Sequence, residues 1–318
     1  MSELSSHAAL DVVTVGEAMA MFVACETGPL EEVTQFTRQV AGAELNVAIG
    51  LSRLGLKVGW ASRVGDDVFG RFVLKQLEKE RINAGQVTVD NRFATGFQLK
   101  SKETGGRDPR VEYFRKNSAA SHLSVADFNP DYFCAARHLH LSGVCAALSD
   151  SSLELLKFAA QQMRNAGKSL SFDPNLRPVL WRSEEVMRKE INALAFAADW
   201  VLPGLSEGQL LTGEKTPEGI ADFYLNQGVK AVIIKTGPDG AWFKTADGEQ
   251  AQVPAYKVEN VVDTVGAGDG FAVGLVSALL EGLTLEQAVK RGNKIGSLAV
   301  QAVGDSEGLP TREQLDGA

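Results

Sequence analysis

The apolar residues of this chain follow two rhythms. "DVVTVG" (Asp11–Gly16), "KVGWASRVG" (57–65), "RHLHLSG" (137–143), "KSLSFDPN" (168–175), "DWVLPG" (199–204) and "KAVIIKTG" (Lys230–Gly237) are short apolar runs stopped by Gly, Pro or Asp. That pattern predicts buried strands. Between them lie stretches with apolar residues three and four apart. They predict helices over Ala43–Gly55, Asp67–Glu80, Ser152–Gln162, Gly268–Glu281 and Leu285–Ala302. Asp67 and its acidic neighbour suit the positive end of a helix dipole. "GAWFKTADGEQAQVPA" (240–255) predicts a hairpin. Strands alternating with helices imply a mostly parallel sheet covered by helices.

Two segments break the alternation. Residues 93–117 read as two alternating strands around a polar Gly/Pro turn, and residues 17–40 are similarly irregular. Together they predict a small antiparallel flap beside the main sheet. With no internal repeat or linker in view, the expected organisation is one domain, 1–318, carrying that flap as a lid.

Composition narrows the function. The chain has 318 residues, 44% hydrophobic and 23% charged, with a formal net charge of −8. The acidic balance argues against a nucleic-acid or anionic-membrane partner. Cys25, Cys134 and Cys145 form no C-x-x-C pair, and the N-terminus has no basic segment followed by an apolar one. A cytoplasmic location is expected. No apolar run is long enough to span a bilayer. His138 and His140 share one strand face but lack further metal-ligating neighbours, so they read as structural.

The densest chemical signal is "DTVGAGDGF", Asp263–Phe271, just before an almost wholly apolar helix. Gly266 and Gly268 allow close backbone approach, and the free N–H groups of a first helical turn make an anion site. Asp269 lies inside it. The dipole is expected to keep its carboxylate ionised, so that it can take a proton from an attacking hydroxyl beside a bound phosphate. Read alone, the same aspartate also suits a plain helix cap. No Walker-type G-x-x-x-x-G-K-[ST] is present.

"DTVGAGDGF" closely resembles the C-terminal signature of the ribokinase-type (PfkB) carbohydrate kinases. "AGAELNVAIGLSRLG" resembles the N-terminal signature of the same family. The resemblance runs from "VTVGEAM" to "GLPT". It implies a ribokinase-like doubly wound α/β sheet with a small β-sheet lid, and ATP- and Mg2+-dependent phosphorylation of a sugar hydroxyl. Asp269 would be the base, and the N–H groups of Gly266, Ala267 and Gly268 the anion hole. Gly42 and Asn46 would meet the sugar. Glu207, in "VLPGLSEGQLLTG", resembles the family's magnesium glutamate, acting through water. Gly204 stands where the family has Asn. Lys235, Gly237 and Gly240 resemble the ATP-side loop, and Asn293 a residue of the adenine pocket. Asp263 and Thr264 resemble a monovalent-cation (K+) site found in some relatives.

Two stretches bear on the sugar. "VEYFRKNSAASHLS" (Val111–Ser124) resembles the lid segment of the family's 2-keto-3-deoxygluconate kinases, which places Tyr113 and Arg115 at the substrate on one strand face. "DPNLRPVLW" (Asp173–Trp181) adds Arg177, although fructokinases share it. Phe97 stands where the acid kinases often use Tyr. A guanidinium binds a carboxylate through two parallel hydrogen bonds, which favours a sugar acid. A ketohexose such as fructose or tagatose is the alternative, and a non-catalytic sugar sensor the alternative from another class. Unpaired lid edges make a homodimer the expected assembly.

Overall fold

The computed structural model describes residues 9–103 and 109–317. Among them are β1 (Val12–Val15), β2 (Met19–Ala24), β3 (Phe36–Ala41), β4 (Val58–Gly65), β5 (Asn83–Asp90), β6 (Phe97–Lys100), β7 (Val111–Phe114), β8 (His138–Ser142), β9 (Ser169–Asp173), β10 (Trp200–Val201), β11 (Ala231–Lys235), β12 (Ala241–Thr245) and β13 (Gln250–Val253). Nine form one sheet in the order β13-β12-β11-β10-β9-β8-β1-β4-β5. Its pairings are parallel from β10–β11 through β4–β5, while β12 and β13 add an antiparallel edge. This is the ribokinase-like α/β architecture.

The sheet is buried on both faces, as continuous apolar strands require. In β11, Val232 and Ile234 enter one core, and Ala231 and Ile233 the other. The buried His138 and His140 fit this interior because Ser169 and Ser171 hydrogen-bond them. Burial holds both imidazoles neutral, His140 down at about 3.

The four remaining strands form a separate sheet, β3-β2-β6-β7. It contains the two irregular segments identified from sequence, although β2 and β6 run parallel and the other two pairings are antiparallel. The polar turn expected between β6 and β7 lies partly outside the described residues. A strand not predicted from sequence, β5, closes the edge of the large sheet. Its mixed exposure and its Asn, Gly and Gln residues hide the usual alternation.

The helix Ala267–Leu280 is buried from Asp269 to Ala278. It packs between the helices Ala43–Arg53 and Leu285–Ala299, where glycines bring backbones close. A Cβ on Gly274 would lie 2.6 Å from the Arg291 backbone. Gly274→Leu should therefore cost about 1–3 kcal/mol or more, read as a lowered urea midpoint at unchanged slope.

Candidate active site

The first turn of the helix Ala267–Leu280 opens into a cavity of about 490 Å3 between the two sheets, lined by Gly42, Asn46, Arg115, Arg177, Gly266 and Asp269 among others. The N–H groups of Ala267, Gly268 and Asp269 have no intrahelical acceptor, because the first such bond is Gly270 N–H to the Gly266 carbonyl at 2.8 Å. Gly266 caps the helix in the left-handed region, φ 85°. A Cβ there would stand 2.3 Å from the Asp305 carbonyl oxygen, so only glycine sets this turn.

Asp269 is 8% exposed. Asn46 donates to its Oδ2 at 2.8 Å, and Asn175 to its Oδ1 at 3.4 Å. Burial pushes its pKa up to about 7, against the Asn46 hydrogen bond and Lys235; nearby Asp173 and Asp305 push the same way as burial. This corrects the expectation that the dipole keeps Asp269 fully ionised. A helix terminus is worth about 0.3–1 kcal/mol, under one pH unit, whereas full burial can move a carboxyl by about 3–5 units. The result is a carboxyl poised at neutral pH, the range that suits a general base.

Asn46 comes from the helix Ala43–Arg53, entered through Gly42 at φ 146°. A Cβ on Gly42 would fall 2.3 Å from the Glu17 carbonyl oxygen. The small sheet contributes the opposite wall. Arg115 lies against the buried Glu17 carboxylate as an ion pair, and Ser118 Oγ donates to the other Glu17 oxygen. Arg115 Nε is buried without a partner. Arg177, half-buried, donates to the Leu176 carbonyl at 2.9 Å and the Asn175 carbonyl at 3.4 Å, and has no carboxylate partner among the described residues. Tyr113 lines the same cavity.

Phe97 does not. It stacks on Phe114 at 4.6 Å and packs with Phe22 and Phe69 on the other face of the small sheet. The cavity-facing residues of β6 are Gln98, directly opposite Tyr113, and Lys100. Strand alternation held this signal: "FQLK" puts Phe97 and Leu99 on one face, Gln98 and Lys100 on the other. Glu17, Asp173, Asn175 and Asp305 also line or reach the cavity without having been singled out from sequence.

A second cavity, about 600 Å3 and mostly apolar, adjoins the first. The two share Lys235, Thr264 and Gly268 in their walls. Lys235 Nζ sits 2.7 Å from Asp173 Oδ2. Ala267, Gly237 and Asn293 line the second cavity, with Phe271, Tyr256 and Val258. Asn293 spends its amide donors on the Val253 and Pro254 carbonyls at 3.0 and 3.1 Å, pinning that wall. Gly240 lies outside the linings of both cavities, and a Cβ there would stand 2.1 Å from the Val253 carbonyl oxygen.

The residues for ions divide. Glu207 lines the first cavity, and its carboxylate accepts the N–H of Leu176 and Gly204, each at 2.7 Å. No cluster of three metal-ligating side chains occurs among the described residues. A single carboxylate suits a hydrated Mg2+ whose other oxygens come from phosphates. Asp263 is already engaged. It accepts the N–H of Val265 and Gly304, and Lys100 Nζ stands 2.5 Å from its Oδ2.

The pfkB family carbohydrate kinase model matches residues 9–312. The chain belongs to that family of kinases. It is 54% identical to 2-dehydro-3-deoxygluconokinase of Bacillus subtilis (strain 168) over 96% of this chain and 94% of that protein. The crystal structure of a PfkB protein from Polaromonas sp. JS666 superposes with a TM-score of 0.90 at 52% identity, covering 98% of this chain and 100% of that one. A fructokinase double mutant from Vibrio cholerae O395, solved with fructose, ADP and potassium ion, gives a TM-score of 0.84 at 26% identity over 97% and 98% of the two chains. This kinase therefore moves a phosphoryl group to a carbohydrate.

The pH profile tests the base. Since Asp269 must be ionised to accept a proton and titrates near 7, kcat/KM should fall about tenfold per pH unit below pH 7. Asn46→Ala removes the hydrogen bond that lowers that pKa, so its acid limb should move to higher pH. An unmoved limb would assign the titration to another group.

Proposed function

We propose that this kinase transfers the γ-phosphoryl group of ATP to the primary hydroxyl of 2-keto-3-deoxygluconate, giving the 6-phosphate. The observation that carries the substrate is one acidic-sugar cavity: two arginines, Arg115 and Arg177, converge on the space that Asp269 faces. The identity to 2-dehydro-3-deoxygluconokinase supports the same reading.

ATP lies with its base in the apolar second cavity and its phosphates over the shared wall of Lys235, Thr264 and Gly268. The sugar lies in the first, with its carboxylate toward the guanidinium groups. Gly42 and Asn46 hold its hydroxyl end. Asp269 takes the proton as the hydroxyl oxygen attacks phosphorus and the bond to the ADP oxygen breaks. The N–H groups of Gly266, Ala267 and Gly268, joined by that of Asp269, receive the charge that builds on the transferring group, which is where phosphoryl transfer needs stabilisation. Glu207 is the residue that would hold a hydrated Mg2+, which when bound would supply further neutralisation of the phosphates. The small sheet serves as a lid of the single 1–318 domain and keeps water from competing as acceptor. The protein works in the cytoplasm, where its three free cysteines remain reduced, as a homodimer joined through lid edges.

Arg115 does not wait as an unpaired cation. A substrate carboxylate must share its guanidinium with Glu17, which places the acid precisely and leaves a neutral ketose a poorer partner. In a coupled ATP-consumption assay over 2-keto-3-deoxygluconate, 2-ketogluconate, fructose, tagatose, ribose and adenosine, the first should give the highest kcat/KM. Arg177→Ala, which strands no buried carboxylate partner among the described residues, should raise KM for the acid about 10- to 100-fold, the weight of a lost charge-assisted pair, and change fructose kinetics little. Preference for fructose, or equal KM effects on both, would reject the acid assignment. Asp269→Asn retaining full turnover would reject the base and reopen the sensor reading.

A further inference from the structure

Lys100 is the largest charged side chain in the interior, 1% exposed, and it comes from β6 of the small sheet. Its Nζ lies 2.5 Å from Asp263 Oδ2 and 3.0 Å from Asp305 Oδ1. Those two aspartates belong to the segments that shape the anion cradle. Asp263 also accepts the N–H groups of Val265 and Gly304, at 3.1 and 3.2 Å, so it ties the two segments together. The Asp305 carbonyl is the group pressed against Gly266, whose left-handed turn starts the helix Ala267–Leu280. Arg177 is near enough to act on Asp305 electrostatically.

The charge arithmetic is unforgiving. Two buried carboxylates 205 and 163 positions beyond Lys100 in the chain converge on one ammonium. Without it they would face each other in a buried site, and like charges there repel strongly. The cradle segments would then separate or take up a cation from solvent. The fructokinase relative was solved with potassium ion. Here, the carboxylate that the sequence resemblance assigned to K+ is filled by the chain's own side chain.

We propose that Lys100 is the resident cation of the anion cradle: a positioning residue that fixes the loop before Gly266, fastens the small sheet to it, and makes this kinase independent of monovalent cations. The proposal rests on the cradle reading given above for the first turn of the helix Ala267–Leu280. It assigns Lys100 no contact with the reacting atoms.

The test is ATP turnover of the full chain, with whichever sugar of the panel it uses best, in KCl, NH4Cl, NaCl and tetramethylammonium chloride at equal ionic strength. This choice of sugar keeps the test valid if the substrate assignment fails, and total inactivity of the wild type would sink the functional reading instead. Wild-type kcat should be the same in all four salts. Lys100→Ala in tetramethylammonium should lose about 10- to 100-fold in kcat, as expected when a catalytic group is displaced by up to about 1 Å. KCl or NH4Cl should restore most of that loss, a rescue that general unfolding would not show. Lys100→Arg should keep activity in every salt. If the alanine variant does not fold, Lys100→Gln replaces it with chain length preserved. Activation of the wild type by K+ over tetramethylammonium overturns the proposal, as does full activity of the neutral variant in tetramethylammonium, or a loss that no small cation relieves.

Discussion

A helix whose whole circumference is apolar has only its ends to offer to solvent. The helix Ala267–Leu280 lies between two other helices and against the sheet, buried from Asp269 to Ala278. Its first-turn N–H groups must still find acceptors, because an orphaned buried donor costs about 1–3 kcal/mol. The structure meets this constraint with a cavity instead of a cap. That one choice fixes the neighbourhood: glycine at 266 to turn the chain, a carboxyl inside the first turn, and walls supplied by distant segments.

The electrostatics follow from the same burial. Asp269, Asp173, Asp263 and Asp305 crowd a small volume, and each is held by a partner: Asn46 and Asn175, Lys235, and Lys100 for the last two. Glu17 and Arg115 repeat the device across the cavity. Glu44, two positions before Asn46, is fully buried, and burial pushes it up to about 8, so it stays largely protonated at neutral pH. Buried charges cost more than they return unless each is matched. The site therefore has little tolerance for single charge deletions, and any such change disturbs its partner as well as itself.

Much of the architecture was legible because parallel strands buried on both faces announce themselves as apolar runs. β11 and β1 are such runs. β5 was not legible, since an edge strand of half-exposed Asn, Gly and Gln residues carries no clean period. The cradle was legible because it is local, nine residues in a row. Its partners were less so. Lys100 and Asp305 are 205 positions apart, and nothing in either segment names the other. Phe97 was misplaced by a single residue, and in a strand one residue means the opposite face. The protonation of Asp269 was missed for a different reason: burial is a property of the folded whole, and no local pattern states it.

The shared wall of Lys235, Thr264 and Gly268 has a kinetic meaning. The two cavities meet there edge to edge, each with its own lining on its own side. With the nucleotide and sugar seated as proposed, neither must cross the other's seat to arrive. Nor must ADP wait for the phosphorylated sugar to leave. Such a layout favours a ternary complex assembled in either order.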